Sequence, residues 1–164
     1  MLSESYFQDQ VKDSHCFGCG ADNEKGLQIK SRWDGDEAVC IWQPKPEHMA
    51  GPKHILNGGI IGTIIDCHGI WTAIAHAYRE EDRDISSPPM IWYVTGSLKV
   101  NYLKPTPIDA PVEIRSHVQS IGGKKTIVHC TLFSESVVTA KGEVLAVKVP
   151  AELWYKGHQM DGGN

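Results

Sequence analysis

Between His54 and Tyr78 the chain reads HILNGGIIGTIIDCHGIWTAIAHAY, and after the paired glycine about five helical turns pass without a lysine or arginine. Ile60, Ile61, Ile64, Ile65, Ile70, Trp71 and Ile74 fall around the whole circumference. A helix apolar on every side is buried on every side, so the rest of the chain has to wrap it. Asp66 is the one formal acid inside this run. Burying an ionised carboxylate without a partner costs several kcal/mol. Asp66 is therefore either a satisfied structural group or a working group with a shifted pKa.

Gly58 and Gly59 stand where the helix should begin. The first N–H groups of a helix lack an intrahelical acceptor and carry the positive end of its dipole. Glycine there lets another molecule approach the backbone, which makes a ready donor for an oxygen that gains negative charge. The plain alternative is a tight turn into the helix. Gly59 and Asp66 are seven residues apart, nearly on one face and about 10 Å apart along the axis. That is too far for both to act on one carbonyl from a single chain, so joint action requires a second copy.

With 164 residues, 41% hydrophobic and 22% charged, a single domain with a sizeable core is expected. The net charge of −4 gives no general basic surface, which argues against nucleic acid as a partner. No apolar run is expected to reach the roughly 18 residues of a membrane span, and the start MLSESYFQDQ lacks the basic and apolar regions of a signal peptide. Five cysteines at irregular spacing argue against a disulfide framework, so a cytoplasmic setting with reduced thiols is the expectation.

Residues 1–15 read as an N-terminal segment holding a short, loosely docked helix, 16–156 as the folded domain, and 157–164 as a frayed tail. Cys16 and Cys19 form a C-x-x-C, but a structural zinc site wants four ligands. With no second pair, and with His15 as only a third donor, a glycine-rich turn with small buried cysteines is the expectation, and no metal. A redox motif would open a helix after a strand, which this does not. Leu27–Trp33 and Ala38–Trp42 read as a hairpin across Asp34-Gly35-Asp36, followed by a loop that holds His48 and His54. After the helix, Arg79–Pro89 is a charged, proline-rich loop. Strand composition then returns at Met90–Leu103, Val112–Ile121, Thr126–Ser134 and Val137–Val149. The order predicts an α+β domain, an antiparallel sheet of five to six strands around one long central helix, with edges open to a second copy.

Four stretches in this order resemble the hotdog-fold acyl-CoA thioesterases of the PaaI-like kind, over about residues 16–150. Asn57-Gly58-Gly59 occupies the position of that family's His-Gly-Gly, and Asp66 falls at its acid, nine positions after the His. Asn101-Tyr102-Leu103-Lys104-Pro105 repeats its Asn-Tyr-x-x-Pro, and Thr95 takes the place of a Ser or Thr six residues earlier. Cys16 to Leu27 looks like the start of many such chains. The resemblance implies a hotdog fold and a homodimer, with further pairing into a dimer of dimers. In its active site Gly58 or Gly59 polarises the thioester carbonyl, Asp66 of the facing subunit serves as nucleophile or base, and Thr95 helps hold the water.

Two departures stand out. Asn57 replaces His, removing an acid/base but keeping a hydrogen-bonding side chain. Gly51 stands where the family often has Asn or Gln, and His54 is the candidate to supply that polar contact to substrate. Coenzyme A carries phosphates, so Lys99, Lys104, Lys124 and Lys125 are candidate binding groups, the last two in a glycine turn. Trp71 and Trp92 are either core or the lining of an acyl pocket. His68 reads as a buried histidine bonded to backbone. No cofactor is expected beyond the coenzyme A thioester as substrate. The expected activity is acyl-CoA hydrolysis by carboxylate-assisted water attack. The alternatives are a non-catalytic acyl-CoA or lipid-binding module and an enoyl-CoA hydratase.

Overall fold

The apolar run becomes one helix, α1 (Gly58–Glu80), in a computed structural model that describes residues 5–155. Residues 1–4 of the expected N-terminal segment and the expected tail at 157–164 lie outside the described residues. Around α1 runs a six-stranded antiparallel sheet of β1 (Ser31–Asp34), β2 (Glu37–Trp42), β3 (Ile91–Tyr102), β4 (Val112–Gly122), β5 (Lys125–Ser134) and β6 (Val137–Pro150). The strands lie in the order β1-β2-β4-β5-β6-β3, the hotdog arrangement, and a short α2 (Ala151–Tyr155) ends the described chain. Strict alternation of burial along β5 shows one face turned to the helix and the other to solvent.

The helix lies unusually close to β6. A Cβ on Gly142 would come within 2.3 Å of Ile65 Cγ2, and one on Gly69 within 2.6 Å of Val144 Cγ2. Ile64, Ile65, Trp71, Ile74 and Tyr78 are fully buried in the core, an aliphatic side chain among them contributing about 1.5–3 kcal/mol relative to exposure. By length and composition α1 would also suit a membrane span, contrary to the sequence expectation, but the sheet around it accounts for its composition.

Burial on every side does not hold. Gly59, Thr63, Asp66 and Ile70, spaced at three or four residues, form a stripe that stays partly or wholly exposed beside β3. Nor is Leu27–Lys30 a strand. Leu27 and Ile29 are buried as alternation requires, but their N–H groups bond to Phe17 O and Gly18 O, and Gln28 has φ 50°. Alternating burial is satisfied here by a loop pairing with a loop.

From residue 5 onward the N-terminal segment is not loosely docked. Phe7, which opens a short 3₁₀ turn (Phe7–Gln10), and Val11, which follows it, join the core, and Gln8 is buried between them. Its side chain opens a closed polar chain: Gln8 Oε1 accepts from Ser31 N–H, and Gln8 Nε2 donates to Ser31 Oγ. Ser31 Oγ lies 2.8 Å from His68 Nδ1, and His68 Nε2 lies 3.2 Å from Ala38 O. The carbonyl can only accept, so Nε2 carries the hydrogen and Nδ1 accepts from Ser31. The buried, backbone-bonded reading of His68 stands.

Burial pushes His68 from 6.5 down to about 4, against a smaller opposing effect of the Ala38 bond. The unfolded imidazole takes its proton below about 6.5 while the folded one resists until about 4, so the stability is full above that window and falls as acid is added through it. The expected loss between pH 7.5 and pH 5 is about 2 kcal/mol. Urea midpoints at the two pH values measure it, and a His68→Gln variant should lack the imidazole's share of the slope.

Candidate active site

Asp66 is half-buried on the open stripe of α1, and Thr95 comes to it from β3 across 29 residues of sequence, Oγ1 donating to Asp66 Oδ1 at 2.6 Å. A register shift in β3 lies between Thr95 and Ser97. Up to it, Ile91, Tyr93 and Thr95 face the helix. Desolvation raises the Asp66 pKa, the Thr95 bond opposes this, and the charge of Cys16 adds to the rise.

One end of the same stripe is the start of α1. Asn57 caps it, its Oδ1 accepting from Gly59 N–H at 2.8 Å and Ile60 N–H at 3.2 Å. That takes up the Gly59 donor. Among the described residues the Gly58 N–H has no acceptor, so of the two candidate glycines it is Gly58 whose donor is available. Tyr102, from the Asn-Tyr-x-x-Pro stretch, fixes this end: its hydroxyl donates to Gly58 O at 2.6 Å. The axial distance from Gly58 to Asp66 is about 12 Å, which keeps them apart within one copy.

The basic candidates do not converge on Asp66 of their own chain. After the register shift Leu98, Val100 and Tyr102 pair with Val144, Gly142 and Ala140, which face α1, so Lys99 faces outward. There it lines a depression of about 360 Å³ with Asn101, His117, His129, Lys141 and Glu143. Lys104 is exposed two residues beyond Tyr102, near the start of α1. Lys124 and Lys125 form the β4–β5 hairpin, where Lys125 pairs with Val147, itself the partner of Val94. His54 is exposed on the loop before Asn57. Trp71 is buried edge-on to Trp92 at 5.7 Å, and Trp92 meets Tyr155 of α2 in the same manner. A cleft of about 640 Å³ opens elsewhere, between Trp33, Tyr78, Arg79 and Arg83 at the far end of α1.

Sequence reasoning also missed a third thiol. The Sγ atoms of Cys16, Cys19 and Cys67 all lie within 4.8 Å of one another. Counting ligands along the C-x-x-C could not show this, because Cys67 comes from α1, next to Asp66. Hydrogen bonds from Cys19 and Cys67 pull the Cys16 thiol pKa down, and those two are pushed up in return.

The family model described as Thioesterase superfamily matches residues 54–141, from ahead of the Asn57 cap into β6. The chain belongs to the thioesterase superfamily. A thioesterase superfamily protein from Shewanella loihica is 33% identical, with a TM-score of 0.65 over 87% of this chain and 99% of that one. The PaaI protein of E. coli, from the phenylacetic acid degradation operon, shares the fold at 12% identity, with a TM-score of 0.61 over 75% of this chain and 80% of that one. Among curated proteins, the acyl-coenzyme A thioesterase THEM4 of Rattus norvegicus is 31% identical over 109 residues, 66% of this chain. The chain spans 41% of that protein's length.

The cap is directly testable. Asn57→Ala leaves Gly59 and Ile60 N–H without their side-chain acceptor and is expected to cost about 1 kcal/mol, read as a lower urea midpoint at unchanged slope.

Proposed function

We propose that this chain is an acyl-CoA thioesterase whose site is completed by a second copy. The observation that carries the reading is the Asp66–Thr95 pair on an open helix stripe that ends, about 12 Å away, in an unused Gly58 N–H. Its membership of the thioesterase superfamily and its likeness to an acyl-coenzyme A thioesterase support the substrate class.

In the proposed reaction, Asp66 Oδ1 is held by Thr95 while Oδ2 takes a proton from water. The water oxygen forms the new bond to the thioester carbonyl carbon. The carbonyl oxygen, now negative, accepts from the Gly58 N–H of the facing copy. Collapse of the tetrahedral intermediate breaks the carbon–sulfur bond and releases coenzyme A thiolate and the acid. A carboxylate whose pKa is raised by burial is a better base than a solvated one. Thr95, having one hydroxyl hydrogen and giving it to Asp66, can accept from the same water.

The second copy is supported by β3. Among the described residues it is an edge strand of 12 residues paired only with β6, and it flanks the open stripe. Leu98, Tyr102 and Leu103 on or next to it are exposed at 39%, 55% and 52%. A long edge with apolar exposure is a template for pairing. Two such edges joined antiparallel would set each Asp66 toward the other copy's helix start.

Thiol release from a panel of acyl-CoAs tests the activity. Asp66→Asn should lower kcat about a hundred- to ten-thousandfold. Undiminished turnover would remove Asp66 from the mechanism, and saturable binding without hydrolysis would make the chain a binding module instead. Leu98→Lys should reduce the sedimentation mass from dimer to monomer and abolish hydrolysis with it. A monomer that stays active sinks the two-copy site.

A further inference from the structure

Three sulfurs from two distant parts of the chain meet on the flank of α1. Cys16 and Cys19 arrive on the N-terminal loop, Cys67 on the helix, and Cys16 Sγ lies 3.7 Å from Cys67 Sγ. Two thiolates on one tetrahedral ion with metal–sulfur bonds of about 2.3 Å stand ~3.8 Å apart. A disulfide would need them at about 2.05 Å.

The loop is built to hold its sulfurs in place. Gly20 N–H donates to Cys16 O at 2.8 Å, closing the turn. From α1, Trp71 Nε1–H donates to Cys19 Sγ at 3.2 Å. Neutral thiols are weak acceptors, so an N–H donor spent on this sulfur suits a thiolate.

The seat on the helix is equally close. A Cβ on Gly18 would lie 2.4 Å from Cys67 Sγ and 2.9 Å from Thr63 Cγ2, so only glycine allows the approach. The backbone pairs Leu27–Phe17 and Ile29–Gly18 brace the loop from behind. Thiolates gathered this closely repel one another unless a cation lies between them. Cys19 and Cys67 are buried while Cys16 is exposed, which leaves an entry path and one coordination position toward solvent.

We propose that Cys16, Cys19 and Cys67 bind one zinc ion, its fourth position open, which fastens the 16–19 loop to α1 on the residue following Asp66. Tetrahedral sulfur donors favour zinc over oxygen-seeking ions such as magnesium or calcium. The proposal is independent of the thioesterase reading, since it rests on sulfurs that reading does not use.

Full-length chain kept reduced, stripped of metal and titrated with Co(II) gives the test. One cobalt per chain is expected, with thiolate-to-cobalt charge-transfer absorption and the strong visible bands of tetrahedral cobalt, both erased by one equivalent of zinc. Trp71→Phe should keep the spectrum and weaken binding about ten- to a hundredfold, as loss of an outer-shell partner does. Cys16→Ser, at an exposed position where folding is safe, should weaken it more, and Cys130→Ser, outside the cluster, should change nothing. Reduced, folded protein that takes up no cobalt, or only with the pale spectrum of octahedral cobalt, overturns the proposal. So does a Cys16→Ser variant that binds as the parent does.

Discussion

Ile65 occupies the space that any side chain on residue 142 would need, and this contact sets the rotation of α1 inside its sheet. Successive helix residues are turned by about 100°, so fixing one fixes the next three. With Ile65 against β6, Asp66 is turned to Thr95 on β3, Cys67 to the N-terminal loop, and His68 to Ser31 and Ala38 on β1 and β2. Four consecutive side chains thus address four different parts of the chain. A helix free to roll by even one position would break three of these contacts together. The glycines at 69 and 142 are what keep it from rolling.

The same rotation explains why the acid can be both buried enough to be perturbed and open enough to be reached. Asp66 lies on the stripe next to the edge strand, where the sheet ends and the wrapping stops. Had α1 been turned by one residue toward the sheet, the carboxylate would have gone into the core without a partner, at a cost of several kcal/mol. Turned the other way, it would be a solvated surface acid with nothing to shift its pKa. Thr95 meets it just before the irregularity in β3, beyond which the inward positions pass to Leu98 and Val100.

What could be read from the sequence was whatever repeats with a local period. The long apolar helix and all six strands were visible because their spacing and turn residues are written within each segment. The first strand, expected from Leu27 but beginning at Ser31, shows the limit of that method, since alternation of burial says nothing about what the backbone bonds to. The pairing of Thr95 with Asp66 came from a resemblance, not from periodicity. The burial of His68 and its bond to backbone were legible, but its link through Ser31 to Gln8, and the meeting of Cys67 with Cys16 and Cys19, were not. Each joins segments more than 20 residues apart, and no residue in them is unusual by itself. Cys67 carried a faint signal: a polarisable side chain beside the one acid of an otherwise aliphatic run.

The replacement of His by Asn at position 57 bears on the proposed chemistry through hydrogen-bond arithmetic. An α-helix start has more N–H groups than acceptors, and an N-cap side chain takes the second and third of them. Asn57 does this with one oxygen shared between Gly59 and Ile60. What remains is the first N–H, on Gly58, with the dipole of the whole of α1 behind it and Tyr102 holding its carbonyl side. Asparagine at the cap therefore leaves the donor where an incoming oxygen would need it. What the substitution removes is a titratable ring, and the proposed reaction assigns the proton to Asp66, on a different copy. In the proposed reaction the two halves of the site are separable: a donor whose direction is fixed by a cap, and a base whose pKa is raised by burial, brought together by a second copy.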